Sequence, residues 1–373
     1  MGFANLRAMS HSLWTMLRST ALSALILLAL TTPGCDAGSS STDNTNVVID
    51  NSVYEAGDDS DIGIGDLPTT PVAQHGALHV SGTDLVDASN NKLQLKGVSS
   101  MWLNWEDDGY AESLDGLKWL RNNWKLNLIR AAMGVEPAGA YLTNPDKAKD
   151  QVVKIVDNAI AAGVYVMIDW HAHADKAGIP WQAESIAFFS EMAAKYAGVP
   201  NVIYETYNEP LALDWTTQLK PYHEAVIAAI RAQDPNAVIV LGTPNWSQDV
   251  DIASKDPVAG SNLMYTLHFY SCTHGAYLIA KGKVALNRGL PLFVTEWGAT
   301  DADGGRDGLV CLPEAQEWMD FMAERNISWA AWKFDNCTPD STCFITPDAP
   351  LDGGWTNQYL QGQGKFLRAR LQE

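Results

Sequence analysis

Apolar residues occur along the chain in short continuous runs, and segments with helical spacing lie between many of them. Eight runs of strand length are present, at residues 96–98, 126–130, 164–169, 202–206, 237–241, 263–269, 292–295 and 329–333. Most residues in these runs are apolar, and they do not alternate regularly with polar residues. They therefore predict strands that are buried on both faces, as in a parallel sheet covered by helices.

Apolar residues with helical spacing lie near residues 114–120, 152–160, 225–230, 315–322 and 366–371. Eight β-then-α units within about 300 residues predict a (β/α)8 barrel, the TIM barrel. A doubly wound open sheet is the alternative, but it would carry a glycine-rich phosphate loop after its first strand, and Lys96-Gly97-Val98-Ser99-Ser100 is not one. A short hairpin is expected before the barrel, formed by residues 78–80 and 93–95 across Asn90-Asn91.

The first 35 residues have the pattern of an export signal. Arg7 and Arg18 precede an apolar stretch at 21–30, which is too short to span a bilayer as a stable helix. Cys35 follows a small residue and precedes a polar stretch, as the acylated cysteine of a bacterial lipoprotein does, although Thr32 and Pro33 depart from that pattern. We therefore expect a secreted protein with Cys35 as a candidate lipidation site, and ordinary cleavage nearby as the alternative.

Residues 36–75 are rich in Ser, Thr, Asp, Asn and Gly, and they include no Lys or Arg. Such a stretch has few apolar residues to offset the entropy of ordering, so it predicts a flexible acidic linker before a folded domain at 76–373. The whole chain has a net charge of −19. That charge argues against nucleic acid as a partner and suits a secreted protein that acts on a neutral substrate.

Four cysteines lie in the predicted domain: Cys272, Cys311, Cys337 and Cys343. Export permits disulfides, and four cysteines allow three pairings. Pairing Cys337 with Cys343 would close a short loop, and pairing Cys272 with Cys311 would join two neighbouring loops at strand ends. Free buried thiols are the alternative, and the spacing does not favour a zinc site.

Polar and aromatic residues follow the predicted strands at the ends that would meet at one face of a barrel. They are Arg130, Asp169, His171, Asn208, Glu209, His268, Tyr270, Glu296 and Trp332. Asp169 is interpreted as a structural residue that holds a partner. His171 and His173 could ligate a metal, but no H-E-x-x-H pattern or carboxylate cluster completes such a site, so we predict none.

The two carboxylates Glu209 and Glu296 suit glycoside hydrolysis, which needs a proton donor and a second carboxylate on the other face of the sugar. One of the two must keep its proton while the other is ionised, and their environments can separate the two pKa values. Arg130 is the strand-end cation placed to favour an ionised Glu. These considerations alone leave open which Glu has which role.

The chain resembles glycoside hydrolase family 5, the large cellulase family, and within it the bacterial endoglucanases. The resemblance rests on LQLKGVSS at 93–100, VIYE at 202–205, GTPNWSQDV at 242–250, Asn208-Glu209-Pro210 and QEW at 316–318. It covers nearly all of the predicted domain. It implies a retaining endo-β-1,4-glucanase, a secreted monomer that needs no cofactor and acts on a β-glucan polysaccharide or oligosaccharide.

The resemblance also implies residue roles. Glu209 would be the acid/base and Glu296 the nucleophile, with Arg130 and Tyr270 orienting Glu296. Contacts with substrate are implied for Asn208, His171, His268, Trp332, Trp105 and Trp246.

Two stretches depart from the family pattern. Met101-Trp102 stands where relatives often have His-Gly, which adds Trp102 as a candidate sugar contact, and Asp335-Asn336-Cys337 stands where many have a Lys. These changes leave mannan, xylan or xyloglucan open as substrates of the same chemistry. A non-catalytic glycan-binding lipoprotein is the alternative of another class.

Overall fold

The computed structural model describes residues 51–55, 57–173 and 181–373. The predicted signal segment, Cys35 and the first part of the predicted linker lie outside these residues. Among the described residues, no helix is long and apolar enough to cross a bilayer.

A two-stranded antiparallel hairpin precedes the main sheet, as expected, but its second strand differs from the prediction. The hairpin is formed by β1 (His79–Ser81) and β2 (Asp84–Val86), with Ser81 paired to Asp84. Gly82 has a φ of 62°, so a tight turn at Gly82-Thr83 joins the strands. Residues 93–95, predicted to be the second strand, come after it.

Eight parallel strands form the predicted closed barrel, and the open-sheet alternative is wrong because the last strand pairs with the first. The bounds of the strands are β3 (Lys96–Ser100), β4 (Leu128–Gly134), β5 (Tyr165–His171), β6 (Val202–Glu205), β7 (Val238–Leu241), β8 (Leu263–Thr266), β10 (Leu292–Gly298) and β11 (Ser328–Phe334). The short strand β9 (Phe269–Tyr270) follows β8 and pairs with the end of β10.

Helices cover the outside of the barrel. Their bounds are α1 (Pro71–His75), α2 (Leu114–Trp119), α3 (Pro145–Ala162), α4 (Gln182–Lys195), α5 (Lys220–Gln233), α6 (Pro244–Ser247), α7 (Val250–Ala253), α8 (Ala276–Asn287), α9 (Leu312–Glu324) and α10 (Gly364–Gln372). The five segments with helical spacing correspond to α2, α3, α5, α9 and α10. The α6 segment is a tight turn in which Asn245, Trp246 and Ser247 all have positive φ.

Alternate residues of each strand enter two separate apolar layers, which explains why the runs are mostly apolar. In β5, Tyr165 and Met167 join the cluster inside the barrel, whereas Val166 and Ile168 join the cluster between strands and helices. Leu78 and Leu85 of the hairpin belong to the inner cluster. The hairpin therefore closes the amino-terminal end of the barrel and leaves the opposite end for a site.

The acidic stretch before residue 76 differs from the predicted linker where the structure describes it. Asp61 accepts a hydrogen bond from the Trp119 indole at 2.9 Å, and the carbonyl of Gly63 accepts from Asn122 at 3.0 Å. Asp59 pairs with the buried Arg368. The acidic side chains find partners on the barrel, so the packed part of the chain begins before Gly76.

Both expected disulfides are present. Cys272 pairs with Cys311 and Cys337 with Cys343, with Cα–Cα distances of 5.2 and 5.7 Å. The first joins the loop after β9 to the start of α9. The second closes the loop after β11, next to the end of the barrel where the polar residues lie.

Candidate active site

The polar residues predicted to act together lie at the carboxyl-terminal end of the barrel. All are buried, and they come from six of the eight barrel positions: Arg130, His171, Asn208, Glu209, His268, Tyr270, Glu296 and Trp332. Parallel strands of a closed barrel end at one rim, so residues far apart in the chain converge there. The structure therefore brings all eight predicted positions into one site.

Both carboxylate oxygens of Glu296 are held by neighbours. Arg130 Nη1 donates to Oε2 at 3.1 Å, and the Tyr270 hydroxyl donates to Oε1 at 2.7 Å. Burial and the charge of Glu296 raise the pKa of Tyr270 well above its ordinary value, so the phenol remains a donor. The guanidinium also places a positive charge beside the carboxylate. Glu296 is thus held in one orientation.

Glu209 has a different environment, because an imidazole approaches each of its oxygens. His268 Nδ1 lies 3.0 Å from Oε1, and His173 Nε2 lies 3.1 Å from Oε2. Burial raises the pKa of Glu209, but hydrogen bonds from His173 and His268 outweigh it and lower that pKa to about 2. Without substrate, Glu209 is therefore a carboxylate flanked by two imidazoles that can pass it a proton.

The two Glu side chains face each other across a short gap. One carboxylate oxygen of Glu209, one of Glu296 and a ring nitrogen of His268 all lie within 4.8 Å of one another. The carboxyl groups of retaining glycosidases are about 5–5.5 Å apart and those of inverting enzymes about 6.5–9.5 Å. The observed distance between the Glu209 and Glu296 oxygens is at the short end of these two ranges.

Arg130 is the centre of a buried ionic network. It lies 2.9 Å from Asp169, 2.7 Å from Glu205 and 3.1 Å from Glu296. One cation does not balance three anions. Burial, opposed by Arg130 and reinforced by Glu205, raises the pKa of Asp169 well above its ordinary value. Asp169 also contacts His171 Nδ1 at 2.6 Å, which confirms the prediction that it holds a partner.

Two residues of this network were not assigned a role from the sequence. Glu205 is fully buried at the end of β6, and Thr295 donates to its Oε1 at 2.5 Å. The signal for Glu205 was present, since a carboxylate directly follows the apolar residues 202–204 inside a buried strand. Such a residue requires a buried partner. Its partner, Arg130, is known only from the fold.

Asn208 has one fixed and one free amide atom. Its Oδ1 accepts from Arg130 Nη2 at 2.6 Å, whereas its Nδ2 is buried and has no hydrogen-bond partner in the described structure. A buried donor without a partner is costly. The side chain is therefore held so that an N–H donor remains available for a ligand hydroxyl.

The aromatic candidates form surfaces around the carboxylates. Trp332 stacks on His171 with ring centroids 5.2 Å apart and an interplanar angle of 7°. Trp102 meets His171 edge-on at 4.3 Å and also contacts Trp105, which is 51% exposed. Trp246 is 44% exposed, and its backbone N–H donates to Pro210 O, next to Glu209. Flat apolar surfaces of this kind suit sugar rings.

His173 is a site residue that sequence reasoning missed. It was considered only as a metal ligand, yet its ring contacts Glu209, and its backbone N–H donates to Glu136 Oε1 at 2.8 Å. The motif Asp169-Trp170-His171-Ala172-His173 contained the signal. Asp169 and His171 lie on the same side of β5, and His173 follows two residues after the strand ends.

Two groups of potential metal ligands occur among the described residues. Asp335, Cys337 and Cys343 form the first, but both cysteines are joined in a disulfide and offer no thiolate. Glu209, His268 and Glu296 form the second, which is the carboxylate pair itself.

An acidic pair lies where the chain departs from the family pattern. Burial, together with the charge of Asp335, raises the pKa of Glu106 to about 8, although the amides of Asp108 and Gly109 oppose this shift. The pKa of Asp335 is also raised, mainly by burial. Glu106 adjoins Trp105. The side of the site next to Trp105 therefore has a neutral carboxyl rather than a positively charged side chain.

The raised pKa of Glu106 predicts a pH-dependent stability. Between 4.5 and about 8 the folded protein binds the proton that the unfolded chain has lost, so stability falls as pH rises through this window. Glu106→Gln keeps an acceptor for the two amides and removes the charge. We expect its melting temperature to exceed that of the wild type above pH 8 by at least about 2–4 °C, and to match it near pH 4.5.

Differential scanning calorimetry at both pH values measures this difference. Glu317→Gln, at an exposed position of α9, is the matched control and should show no such pH dependence. If the melting temperatures of Glu106→Gln and the wild type differed by the same amount at both pH values, the result would contradict a neutral Glu106.

A closed (β/α)8 barrel with two facing carboxylates at the carboxyl ends of its strands is the arrangement of a glycoside hydrolase. Comparison with known proteins agrees with this class. The profile of the cellulase family, glycosyl hydrolase family 5, matches residues 86–338. The chain belongs to this family.

The chain is similar to bacterial endoglucanases. It is 42% identical over 299 residues to an endoglucanase of Clostridium saccharobutylicum, which covers 79% of this chain and 65% of that protein. It is 46% identical to endoglucanase Z of Dickeya dadantii, over 73% of this chain and 62% of that protein. The chain thus matches less than two thirds of the length of these relatives.

The solved catalytic domain of Thermobifida fusca endoglucanase Cel5A superposes with a TM-score of 0.75 at 33% identity, over 82% of this chain and 100% of that domain. A second structure of that domain is a complex with cellotetraose.

Proposed function

We propose that this protein is a retaining endo-β-1,4-glucanase in which Glu209 is the acid/base and Glu296 the nucleophile. The observation that carries the proposal is that one carboxylate oxygen of Glu209 lies within 4.8 Å of one of Glu296. So close an approach suits direct attack by one carboxylate, whereas inverting enzymes hold their carboxyl groups about 6.5–9.5 Å apart to admit a water.

In the first step, the ionised Glu296 attacks the anomeric carbon while Glu209 gives a proton to the departing glycosidic oxygen. Arg130 and Tyr270 hold the two oxygens of Glu296, so the attacking carboxylate keeps one orientation. A covalent glycosyl-enzyme ester forms, and the leaving sugar departs as an alcohol.

In the second step, Glu209 removes a proton from a water, which attacks the ester and restores the β configuration. Asn208 Nδ2, which lacks a partner in the described structure, would donate to the sugar 2-hydroxyl. This contact strengthens as the transition state develops positive charge. Trp332, held flat against His171, would support the reacting sugar.

The substrate class rests on the relatives and on the aromatic surfaces. The matching relatives are endoglucanases, and the Thermobifida fusca domain binds cellotetraose. The exposed rings of Trp105 and Trp246 offer stacking positions away from the carboxylates for a chain of several sugars. We propose unsubstituted β-1,4-glucan as the preferred polymer and a single chain as the active unit.

We also propose that the protein is exported and acts outside the cell, with Cys35 as its candidate lipid attachment site. The predicted signal at 1–35 and the two disulfides support export. Mass spectrometry of the mature amino terminus from cells separates a lipidated Cys35 from simple cleavage.

The proposal predicts both a substrate preference and a stereochemical outcome. Carboxymethylcellulose should lose viscosity much faster than reducing ends accumulate, and its cleavage should exceed that of galactomannan, xylan and xyloglucan. Proton NMR of a cello-oligosaccharide digest should show the β anomer first. An initial α anomer would contradict retention, a preference for another polymer would reassign the substrate, and cleavage of none would favour a binding protein.

A further inference from the structure

A continuous line of hydrogen bonds connects Glu209 to a carboxylate deeper in the barrel. His268 Nδ1 faces Glu209 Oε1 at 3.0 Å, and His268 Nε2 faces Thr295 Oγ1 at 2.8 Å. Thr295 donates to Glu205 Oε1 at 2.5 Å, and Glu205 is ion-paired with Arg130 at 2.7 Å. All of these side chains are buried.

Which groups donate and which accept along this line depends on where the single proton of the Thr295 hydroxyl points. Glu205 is ion-paired with Arg130 and accepts from Thr295 through Oε1, so the hydroxyl proton points to Glu205. Thr295 Oγ1 then has two lone pairs, which face the Thr266 hydroxyl and His268 Nε2. Both of these neighbours must donate to it.

We propose that Thr295 and Glu205 are positioning residues that keep the proton on Nε2 of His268, so that Nδ1 and Glu209 share the proton that Glu209 delivers. The inference rests on the acid/base role proposed for Glu209. Neither Thr295 nor Glu205 touches substrate in this scheme, since both act through His268.

This arrangement destabilises the site when the shared proton is absent. If the ring keeps its proton on Nε2, the bare Nδ1 faces an anionic Glu209. If the proton moves to Nδ1, the bare Nε2 faces the oxygen of Thr295, whose own proton points to Glu205. Both alternatives place two lone pairs against each other, which is unfavourable. His268 and Glu209 therefore retain their shared proton to higher pH. In the second step they readily take a proton from water.

Other ionisable groups surround the pair, on four neighbouring segments of the barrel rim. They are His171 and His173 at and after β5, Glu205 on β6, Tyr270 and His274 on and after β9, and Glu296 on β10. Of these side chains, only that of Glu205 is hydrogen-bonded to the Thr295 hydroxyl, so a change of that hydroxyl acts on this line of hydrogen bonds.

Thr295→Val tests the proposal, because it removes the hydroxyl with little change of shape, and Thr295→Ser restores it. With Val, Nε2 faces a methyl group in either tautomer, so nothing on that side opposes movement of the proton to Nδ1. The basic limb of kcat/KM on cello-oligosaccharides should then move to lower pH by about one unit, which is about a tenfold loss on that limb. Thr295→Ser should keep the wild-type limb.

The tautomer of the His268 ring is measured by ¹⁵N NMR of the protein labelled at histidine, without substrate. The chain has 8 histidines, and His268→Asn assigns the resonance. Above the basic limb, the wild type and Thr295→Ser should show a bare Nδ1, whereas Thr295→Val should show a bare Nε2. Thr266→Val, which changes the same hydroxyl's other neighbour, should leave the His268 tautomer as in the wild type.

A wild-type ring protonated on Nδ1, or an unchanged tautomer and pH limb in Thr295→Val, would overturn the proposal. A protein inactive on every β-glucan would instead overturn the proposed function, and the NMR result would still decide the tautomer.

Discussion

Glu296→Ala should reduce kcat on β-glucan by on the order of 10⁴-fold or more, as removal of a catalytic nucleophile does. No other carboxylate among the described residues is held within reach of Glu209 in this way. The fold should survive, because Arg130 keeps its ion pairs with Asp169 and Glu205. Melting temperature and circular dichroism check folding, and Glu317→Ala on the exposed face of α9 is the matched control with wild-type activity.

The stereochemistry of rescue gives a second readout. Azide can occupy the space that Ala creates and attack an activated glycosyl fluoride from the nucleophile's face, so Glu296→Ala should form the α-glycosyl azide. Unchanged activity on β-glucan would contradict the assigned role. A β-glycosyl azide would indicate that the two Glu residues have exchanged roles.

Glu209→Ala should separate substrates by their need for a proton. Cleavage of cellulose oligosaccharides should fall by about 10²–10⁴-fold, the usual contribution of general acid catalysis. A dinitrophenyl glycoside, whose leaving group needs no proton, should still form the glycosyl-enzyme at a rate near that of the wild type, and a burst of dinitrophenol should precede slow turnover. Azide should accelerate that turnover and yield the β-glycosyl azide.

The matched comparison is the same variant on the two substrates, with the wild type measured beside it. An equal loss on both would show that Glu209 does more than donate a proton. Retention of the basic pH limb in Glu209→Ala would place the titrating acid elsewhere, because that limb is expected to report the proton shared by Glu209 and His268.

Much of the fold could be predicted from local pattern. A buried parallel strand needs apolar residues on both faces, so each of the eight strands leaves a continuous run. The hairpin was predicted less well. Asn90-Asn91 resembles a hairpin turn, but Asp87 Oδ1 accepts from the amides of Ser89 and Asn91, which makes this segment a separate turn after β2. The helices α4 and α8 were not singled out.

The acidic stretch before residue 76 also makes contacts that the local sequence pattern does not predict. Its composition predicts a linker, because no Lys, Arg or Trp lies near Asp59 and Asp61 in the sequence. Their partners are Arg368 and Trp119, which are brought close only when the barrel has formed. The roles of Glu205, Thr295 and His173 were missed for this reason as well.

By itself, the sequence determined the β-then-α order, the eight units that predict a barrel and the placement of Glu209 and Glu296 at strand ends, because each depends on residues that are adjacent in the chain. Tertiary structure alone decided the neighbours of each carboxylate. Arg130 meets Glu296 across 166 residues, and His268 meets Glu209 across 59. The register of a closed barrel sets these contacts, and it is fixed by all strands together, so no local pattern contains it.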